Sequence, residues 1–394
     1  MEVLRRLFDL PSQSCFILGP RGTGKTTFLK GRLPQAIRVD LLDPEQTRRY
    51  AAAPERLRML VEAQSRPCCL VIDEIQRVPE LLPVVHGLIE EQRGDQFVLT
   101  GSSARKLKQT GADLLAGRAI LKSMHPFMAA ELGVLFDLDR ALRIGMLPVV
   151  WGSQIPEDVL RTYAALYLRE EVQVEGLVRN IGVFSRFLEI ISFSHASVLN
   201  ISNVARECAV ERKSVEGYVA ILEDLLLAWR IPVFAKRARR AVITHPKFYL
   251  FDAGVFQSLR PKGPLDHANE IGGQALEGLV AQHLRAWIAY QGKDWSLHFW
   301  RTQSGVEVDF VVYGQDGIWA LEVKNTAEAR SQDVRSLRTF REDYPQSHTA
   351  LIYRGRERVM CRNVLCVPAD EFLRQLRPDG PMIRNMPDDG LRMG

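Results

Sequence analysis

A chain of 394 residues exceeds one ordinary compact core, and at roughly 150 residues per domain it predicts two or three domains, not a single small binding module. Hydrophobic residues at 46% and charged residues at 25% exclude a disordered chain or a coiled-coil rod, and a formal net charge of +5 names no polyanionic partner unless the excess is local. The six cysteines form no C-x-x-C pair, and no run approaches the 18 or so apolar residues of a membrane span; both predict a soluble, cytoplasmic protein with reduced thiols and no membrane partner.

The first predicted element is a buried strand, Cys15-Phe16-Ile17-Leu18, which runs into Gly19-Pro20-Arg21-Gly22-Thr23-Gly24-Lys25-Thr26 and then a helical pattern beginning at Thr27. This is a complete G-x-x-x-x-G-K-[ST] phosphate loop in the strand-to-helix setting the motif requires. Its glycines let backbone N–H groups turn toward phosphate oxygens, Lys25 reaches the β and γ phosphates, and the Thr26 hydroxyl ligates Mg²⁺. A second apolar strand ends in Asp73 and Glu74, where Asp73 is expected to hold the Mg²⁺ shell and Glu74 to polarise the attacking water. A third, Phe97-Val98-Leu99-Thr100, leads to Ser102, placed to sense the γ phosphate. Arg105 and Arg118 follow, and either is a candidate for completing the site of a neighbouring subunit or is a plain surface arginine.

Gly19 to Thr26, Leu70 to Glu74 and Leu99 to Ser103 resemble the AAA-type ATPases of a bacterial and archaeal family, and the resemblance continues through Gly117-Arg118 and Leu147-Pro148. It implies an ATPase domain over residues 1–155, homo-oligomers or rings, and a following segment known in the family only as a domain of unknown function, 4143.

Residues 156–265 read as a helical and winged-helix domain. Phe184, Phe187, Leu188 and Ile191 form a core stripe. The stretch Asn200 to Val210 predicts a short helix capped by Ser202 or Asn203, followed after a tight turn by a second helix that starts at Arg212 and Lys213. Two strands, Trp229 to Phe234 and Lys247 to Phe251, flank a basic tip containing Lys236, Arg237, Arg239 and Arg240, which expects phosphate contacts from nucleic acid, DNA foremost. The competing reading is a lid or protein-docking wing with a solvated tip.

Residues 266–377 predict a helix carrying Glu277, a strand, a hairpin strand carrying Glu307 and Asp309, and a third strand carrying Glu322 and Lys324. Alternation puts Glu307 with Asp309 on one face and Glu322 with Lys324 on one face. That spacing is the PD-(D/E)xK nuclease pattern, in which Asp309, Glu322 and Glu277 bind Mg²⁺ or Mn²⁺ and Lys324 positions a water for attack on a phosphodiester. Glu307 is a further ligand or only a hairpin neighbour. The family resemblance implies a restriction-endonuclease-like α/β fold here, and a degenerate fold kept for binding or assembly stays open. Residues 378–394 lack periodicity and are expected to be mobile. The architecture expected in full is α/β throughout: an ATPase domain, a winged helix and a nuclease-like domain.

Overall fold

The computed structural model describes residues 4–103, 117–167, 172, 180–236 and 240–384. The chain divides into two compact units, Met1–His125 with Leu222–Leu227, and Pro126–Ile221 with Ala228–Gly394.

The first unit is built on a parallel sheet in the order β2-β3-β4-β1-β5 (Ile37–Asp40, Cys69–Asp73, Gln96–Gly101, Cys15–Leu18 and Ile120–Ser123). Its three central strands, β3, β4 and β1, are near-continuous apolar runs because both faces are covered, whereas the edge strands β2 and β5 carry Arg38, Asp40 and Lys122 and are partly exposed. Phe16, Leu18, Leu70, Ile72, Phe97 and Leu99 from the strands pack with Leu57 and Val61 of α3 (Arg56–Glu62) and with Leu81, Val85 and Leu88 of α4 (Leu81–Glu90). Each such side chain contributes about 1.5–3 kcal/mol through removal from water. Two further helices, α1 (Lys25–Arg32) and α2 (Pro44–Ala52), flank β2 in sequence. Because β1, β3 and β4 run parallel and adjacent, the residues just past Leu18, Ile72 and Thr100 meet along one edge of the sheet. Such an edge, where the chain order jumps between neighbouring strands, is where open α/β sheets bind ligands.

The second unit holds residues 126–155, which the sequence reading grouped with the ATPase segment. The tie is polar: Phe127 N donates to Met146 O at 2.8 Å, and Ala129 N donates to His283 Nε2 at 2.9 Å. The short helix α5 (Leu138–Ile144) ends at Gly145, beside Asp252. Helices α6 (Ile181–Ser192), α7 (Ile201–Cys208) and α8 (Arg212–Asp224, of which the residues up to Ile221 belong to this unit) then accompany a three-stranded antiparallel sheet, β6-β8-β7 (Ser197–Val198, Lys247–Leu250, Ala228–Ile231). The cap of α7 is Asn200, whose side chain accepts from Asn203 N at 3.1 Å, and not Ser202 or Asn203. The physical reason is register: Asn200 keeps an extended backbone while Ile201 is already helical.

After α9 (Ala253–Leu259), the long helix α10 (Ala268–Gln291) lies beside a mixed six-stranded sheet ordered β13-β14-β12-β11-β10-β9. Strands β9 (Trp295–Arg301), β10 (Glu307–Gly314) and β11 (Gly317–Lys324) are antiparallel neighbours. Helix α11 (Arg335–Asp343) crosses to β12 (His348–Tyr353), which is parallel to β11; β13 (Val359–Cys361), β14 (Val364–Pro368) and α12 (Ala369–Gln375) complete the unit. The segment joining β7 to β8 runs along the β9 edge: Phe234 N donates to Phe299 O at 2.7 Å and Ile243 N to Arg301 O at 3.1 Å. A sheet edge that would otherwise invite pairing with another chain is thereby covered.

His283 gives this unit a measurable acid sensitivity. Its Nε2 accepts from Ala129 N and its Nδ1 donates to Leu279 O at 2.8 Å, an arrangement only the neutral ring can make. Burial pushes its pKa down from 6.5 to about 4. The unfolded chain takes up this proton near pH 6.5 and the folded chain does not, so the contribution is present above 6.5 and lost as pH falls toward 4. Between pH 7.5 and 5.5 the stability advantage of the native chain over His283→Gln is expected to shrink by about 1.4 kcal/mol, read by urea unfolding at both values.

Candidate nucleotide site and C-terminal carboxylate cluster

The phosphate loop connects β1 to α1. Gly22 and Gly24 hold φ of 82° and 85°, a left-handed backbone that side-chain-bearing residues rarely adopt. A Cβ at Gly19 would lie 2.3 Å from Met124 O, so close approach fixes that glycine as well. Thr23 Oγ1 donates to Pro20 O at 2.7 Å and closes the loop, and Arg6 braces it through Thr23 O at 2.8 Å. Pro20 is buried in the loop, whereas Arg21 and Thr27 are exposed. Lys25 is buried and folds over the loop carbonyls, donating to Gly19 O at 2.6 Å and Pro20 O at 3.4 Å.

Across from it, Asp73 ends β3. Its Oδ2 accepts from Thr26 Oγ1 at 2.6 Å, and its Oδ1 accepts from Thr100 Oγ1 at the end of β4. The Thr26 hydroxyl and the Asp73 carboxylate are hard oxygen donors side by side, which fits Mg²⁺. Glu74 is buried with a left-handed backbone, φ 58° and ψ 50°, costly for a non-glycine residue and held by its surroundings. Its N–H donates to Thr100 Oγ1 at 3.1 Å, and its Oε2 accepts from Ser102 Oγ at 3.0 Å and from Gln76 Nε2. Gln76 Nε2 also reaches Ser102 Oγ at 2.9 Å, closing a three-residue ring around the carboxylate. Sequence reasoning does not find Thr100 or Gln76: a threonine near the end of β4 and a glutamine in the helical turn Ile75–Arg77 carry no pattern until β3 and β4 are side by side.

Arg118 stands at the other end of the sheet, just before β5 opens at Ile120 opposite Cys15, and is ion-paired with Glu90. Arg105 lies outside the described residues.

In the second unit Glu277 of α10, Glu307 and Asp309 of β10, and Glu322 and Lys324 of β11 converge as the spacing predicts. They meet a partner from elsewhere in the chain. Lys247 of β8, 2% exposed, places Nζ 2.8 Å from Glu277 Oε1, 2.6 Å from Glu307 Oε1 and 3.1 Å from Asp309 Oδ1. Tyr249, two residues on and so on the same strand face, donates to Glu277 Oε1 at 2.6 Å. The outer oxygens are also engaged. Glu307 Oε2 meets Arg301 at 3.2 Å, Asp309 Oδ2 accepts from Val323 N at 2.9 Å, and Glu322 accepts from Lys324 at 2.6 Å and Ser336 at 3.1 Å. A slip in the β9 pairing between Val308 and Val311 sets the local bend of β10 around Asp309.

The electrostatics follow from burying more acids than cations. Burial, then the charge of Asp309, pushes Glu277 up to about 7 against the pull of Lys247 and Tyr249. Glu322 rises to about 8, again by burial and then Asp309, with Lys324 opposing. Burial works to lower Lys247, but Glu277, Tyr249, Asp309 and Glu307 overcome it and hold the ammonium protonated. Among the described residues no three His, Cys, Asp or Glu side chains are set to hold a metal ion. The residues expected as ligands, Glu277, Asp309 and Glu322, face lysines instead, so the Mg²⁺ or Mn²⁺ expected from the spacing does not fit this cluster. The reason is tertiary: β8 supplies a cation that no local spacing rule includes.

The basic residues divide similarly. Arg212 and Lys213 are exposed at the start of α8, Arg212 paired with Glu216 at 2.9 Å. Lys236 stacks over the Tyr313 ring at 4.0 Å, and Arg240 pairs with Asp343 at 3.0 Å and Glu342 at 2.8 Å. These two positions of the tip therefore hold the β7–β8 segment to its own unit. Arg237 and Arg239 lie outside the described residues.

Parallel strand order, glycine loop and adjoining strand-end acids define the first unit as a P-loop ATPase domain. Comparison extends this: residues 11–133 match the family model described as an AAA domain, residues 272–372 the one described as Domain of unknown function (DUF4143), and residues 135–266 a further Domain of unknown function (DUF8612). The chain thus carries a match to an AAA domain followed by a match to DUF4143, the pairing expected from its motifs. Uncharacterized proteins of Mycobacterium tuberculosis (Rv2008c) and Mycobacterium bovis (Mb2031c) are each 26% identical to it over 371 residues, which span 91% of this chain and 80% of theirs. Among solved structures, the ORC2 protein of Aeropyrum pernix in its ADPNP-ADP complexes is 12% identical, with 69% of this chain and 88% of that chain covered and a TM-score of 0.25. Protein VC1899 of Vibrio cholerae is 10% identical, with 93% and 97% covered and a TM-score of 0.22. Among the described residues no helix is long and apolar enough to cross a membrane.

Proposed function

We propose that this protein hydrolyses ATP and uses the cycle to engage nucleic acid through its winged-helix segment and a C-terminal domain of PD-(D/E)xK nuclease type. The observation that carries the first part is Asp73, which joins Thr26 of the phosphate loop to Thr100 of the neighbouring strand and sits beside Glu74. In this reading Lys25 and the loop N–H groups bind the β and γ phosphates, and Thr26 with Asp73 hold Mg²⁺, which supplies charge neutralisation on the phosphates. Glu74 orients the attacking water, and Ser102 and Gln76 fix the carboxylate.

The nucleic-acid part is supported by two features. The α7-turn-α8 pair beside a three-stranded β6-β8-β7 sheet fits a winged helix, with Lys213 exposed at the start of α8 next to Arg212, whose exposed side chain would exchange Glu216 for a phosphate backbone. The order α10, β9, β10, β11, α11, β12, with β12 parallel to β11, fits the nuclease-type core. Homo-oligomerisation is supported by Arg118, whose place away from its own phosphate loop suits action toward a second subunit.

The test is ATP turnover with and without single-stranded, duplex and junction DNA, with product gels from the same tubes. Turnover that one DNA form raises severalfold and that Lys25→Ala abolishes is expected. Turnover indifferent to every one of these DNA forms, and to single-stranded and duplex RNA added in the same assay, overturns the nucleic-acid part, and no turnover in the native protein overturns the whole.

A further inference from the structure

We infer that the C-terminal carboxylate cluster is a closed, metal-free site in which the Lys247 ammonium stands where a nuclease of this pattern would hold its divalent cation. An ammonium has three N–H donors, and here Nζ donates to Glu277 Oε1 at 2.8 Å and to Asp309 Oδ1 at 3.1 Å, with Glu307 Oε1 as a third ion-pair partner at 2.6 Å. Two of these acids, Glu277 of α10 and Asp309 of β10, are metal-ligand positions of the pattern, and the third such position, Glu322 of β11, is paired with Lys324. A divalent ion drawing the same oxygens to about 2.0–2.6 Å would have to occupy the space of Nζ. It would also meet the charge of Lys247 at contact distance in a buried setting, where like charges repel far more strongly than in water.

The lysine is built in. Taking an ammonium out of water costs several kcal/mol unless partners repay it, and only a preformed ring of acids does so here. Its strand belongs to the other sheet of the unit, where Lys247 pairs with Ile231 of β7 and Val198 of β6. Tyr249 on the same strand adds a second donor to Glu277. The cluster therefore joins the three-stranded sheet to the six-stranded one by charge. The outer oxygens have partners too, in Arg301, Val323 N, Lys324 and Ser336. Lys324, the residue expected to position an attacking water, is instead spent on Glu322. A domain so arranged contacts nucleic acid or a partner without hydrolysing a phosphodiester.

This rests on the nuclease-type reading of the cluster, and a metal titration without ATP or nucleic acid keeps the two separable. Mn²⁺ binding to the full chain is followed by the loss of the free-ion electron paramagnetic resonance signal. Expected is a wild-type isotherm that Asp309→Ala and Glu322→Gln leave unchanged. Lys247→Met, which removes the ammonium and keeps the aliphatic stem, is expected to gain a Mn²⁺ site of at least about tenfold higher affinity than any in wild type. The Lys247→Met/Asp309→Ala double variant loses it. Saturable Mn²⁺ binding in wild type that disappears in Glu322→Gln overturns the inference, as does a folded Lys247→Met protein that gains no site. If Lys247→Met does not fold, the wild-type and Glu322→Gln isotherms decide alone, since a shared isotherm supports the closed site and a difference between them refutes it.

Discussion

Glu74→Gln is expected to lower ATP turnover by about 10²–10⁴-fold while leaving ATP binding within a few fold of native, checked by steady-state phosphate release and by titration with a fluorescent nucleotide. The separation follows from which atoms do what. In the proposed reading phosphate affinity comes from Lys25, Thr26 and the loop N–H groups, while the Glu74 carboxylate is held by Ser102 and Gln76. Glutamine keeps the shape, and the amide oxygen can still accept from Ser102 Oγ or Gln76 Nε2, so the left-handed backbone at residue 74 stays supported. What goes is the negative charge that draws a proton from water. Lys25→Ala is the complementary case, losing binding and turnover together. Equal loss of binding in both variants would mean that Glu74 acts on the fold of the loop, not on water.

The phosphate loop was fully legible because its chemistry is local: eight consecutive residues, with glycines where φ must be positive, can be read without knowing what lies beside them. Asp73 and Glu74 were legible for the same reason, as acids closing an apolar strand. Thr100 and Gln76 were not, since their importance depends on β3 and β4 being neighbours in register. The C-terminal acids show the same limit more sharply. Alternation put Glu307 and Asp309 on one face, and both do reach one Nζ. Nothing near them in sequence announced Lys247, which opens a strand after Pro246 and reads as an ordinary boundary residue. The basic tip erred in the opposite sense. A run of cations looks solvated when its partners are distant, and Arg240 finds Asp343 and Glu342 some hundred positions on.

Asp252→Ala is expected to destabilise the second unit by about 3–5 kcal/mol, measured by urea unfolding followed by tryptophan fluorescence. Asp252 caps α9 and does a second task. Its Oδ1 accepts from Gly254 N at 2.9 Å and Val255 N at 3.1 Å, while Oδ2 accepts from Met146 N at 2.7 Å, across from the end of α5. The side chain is 1% exposed, so alanine leaves three buried N–H groups with no water to replace it, each costing about 1–3 kcal/mol before relaxation. Relaxation is limited by packing: a Cβ at Gly254 would lie 2.2 Å from the Ile144 carbonyl, and Gly145, at φ 76°, has Asp252 directly against it. Asp252→Asn keeps one carbonyl acceptor and so is expected to lose less than half as much, about 1–2 kcal/mol. If both variants lose equally, one acceptor oxygen is not enough, because asparagine keeps a single side-chain oxygen for these N–H groups and sets its NH2 against the rest.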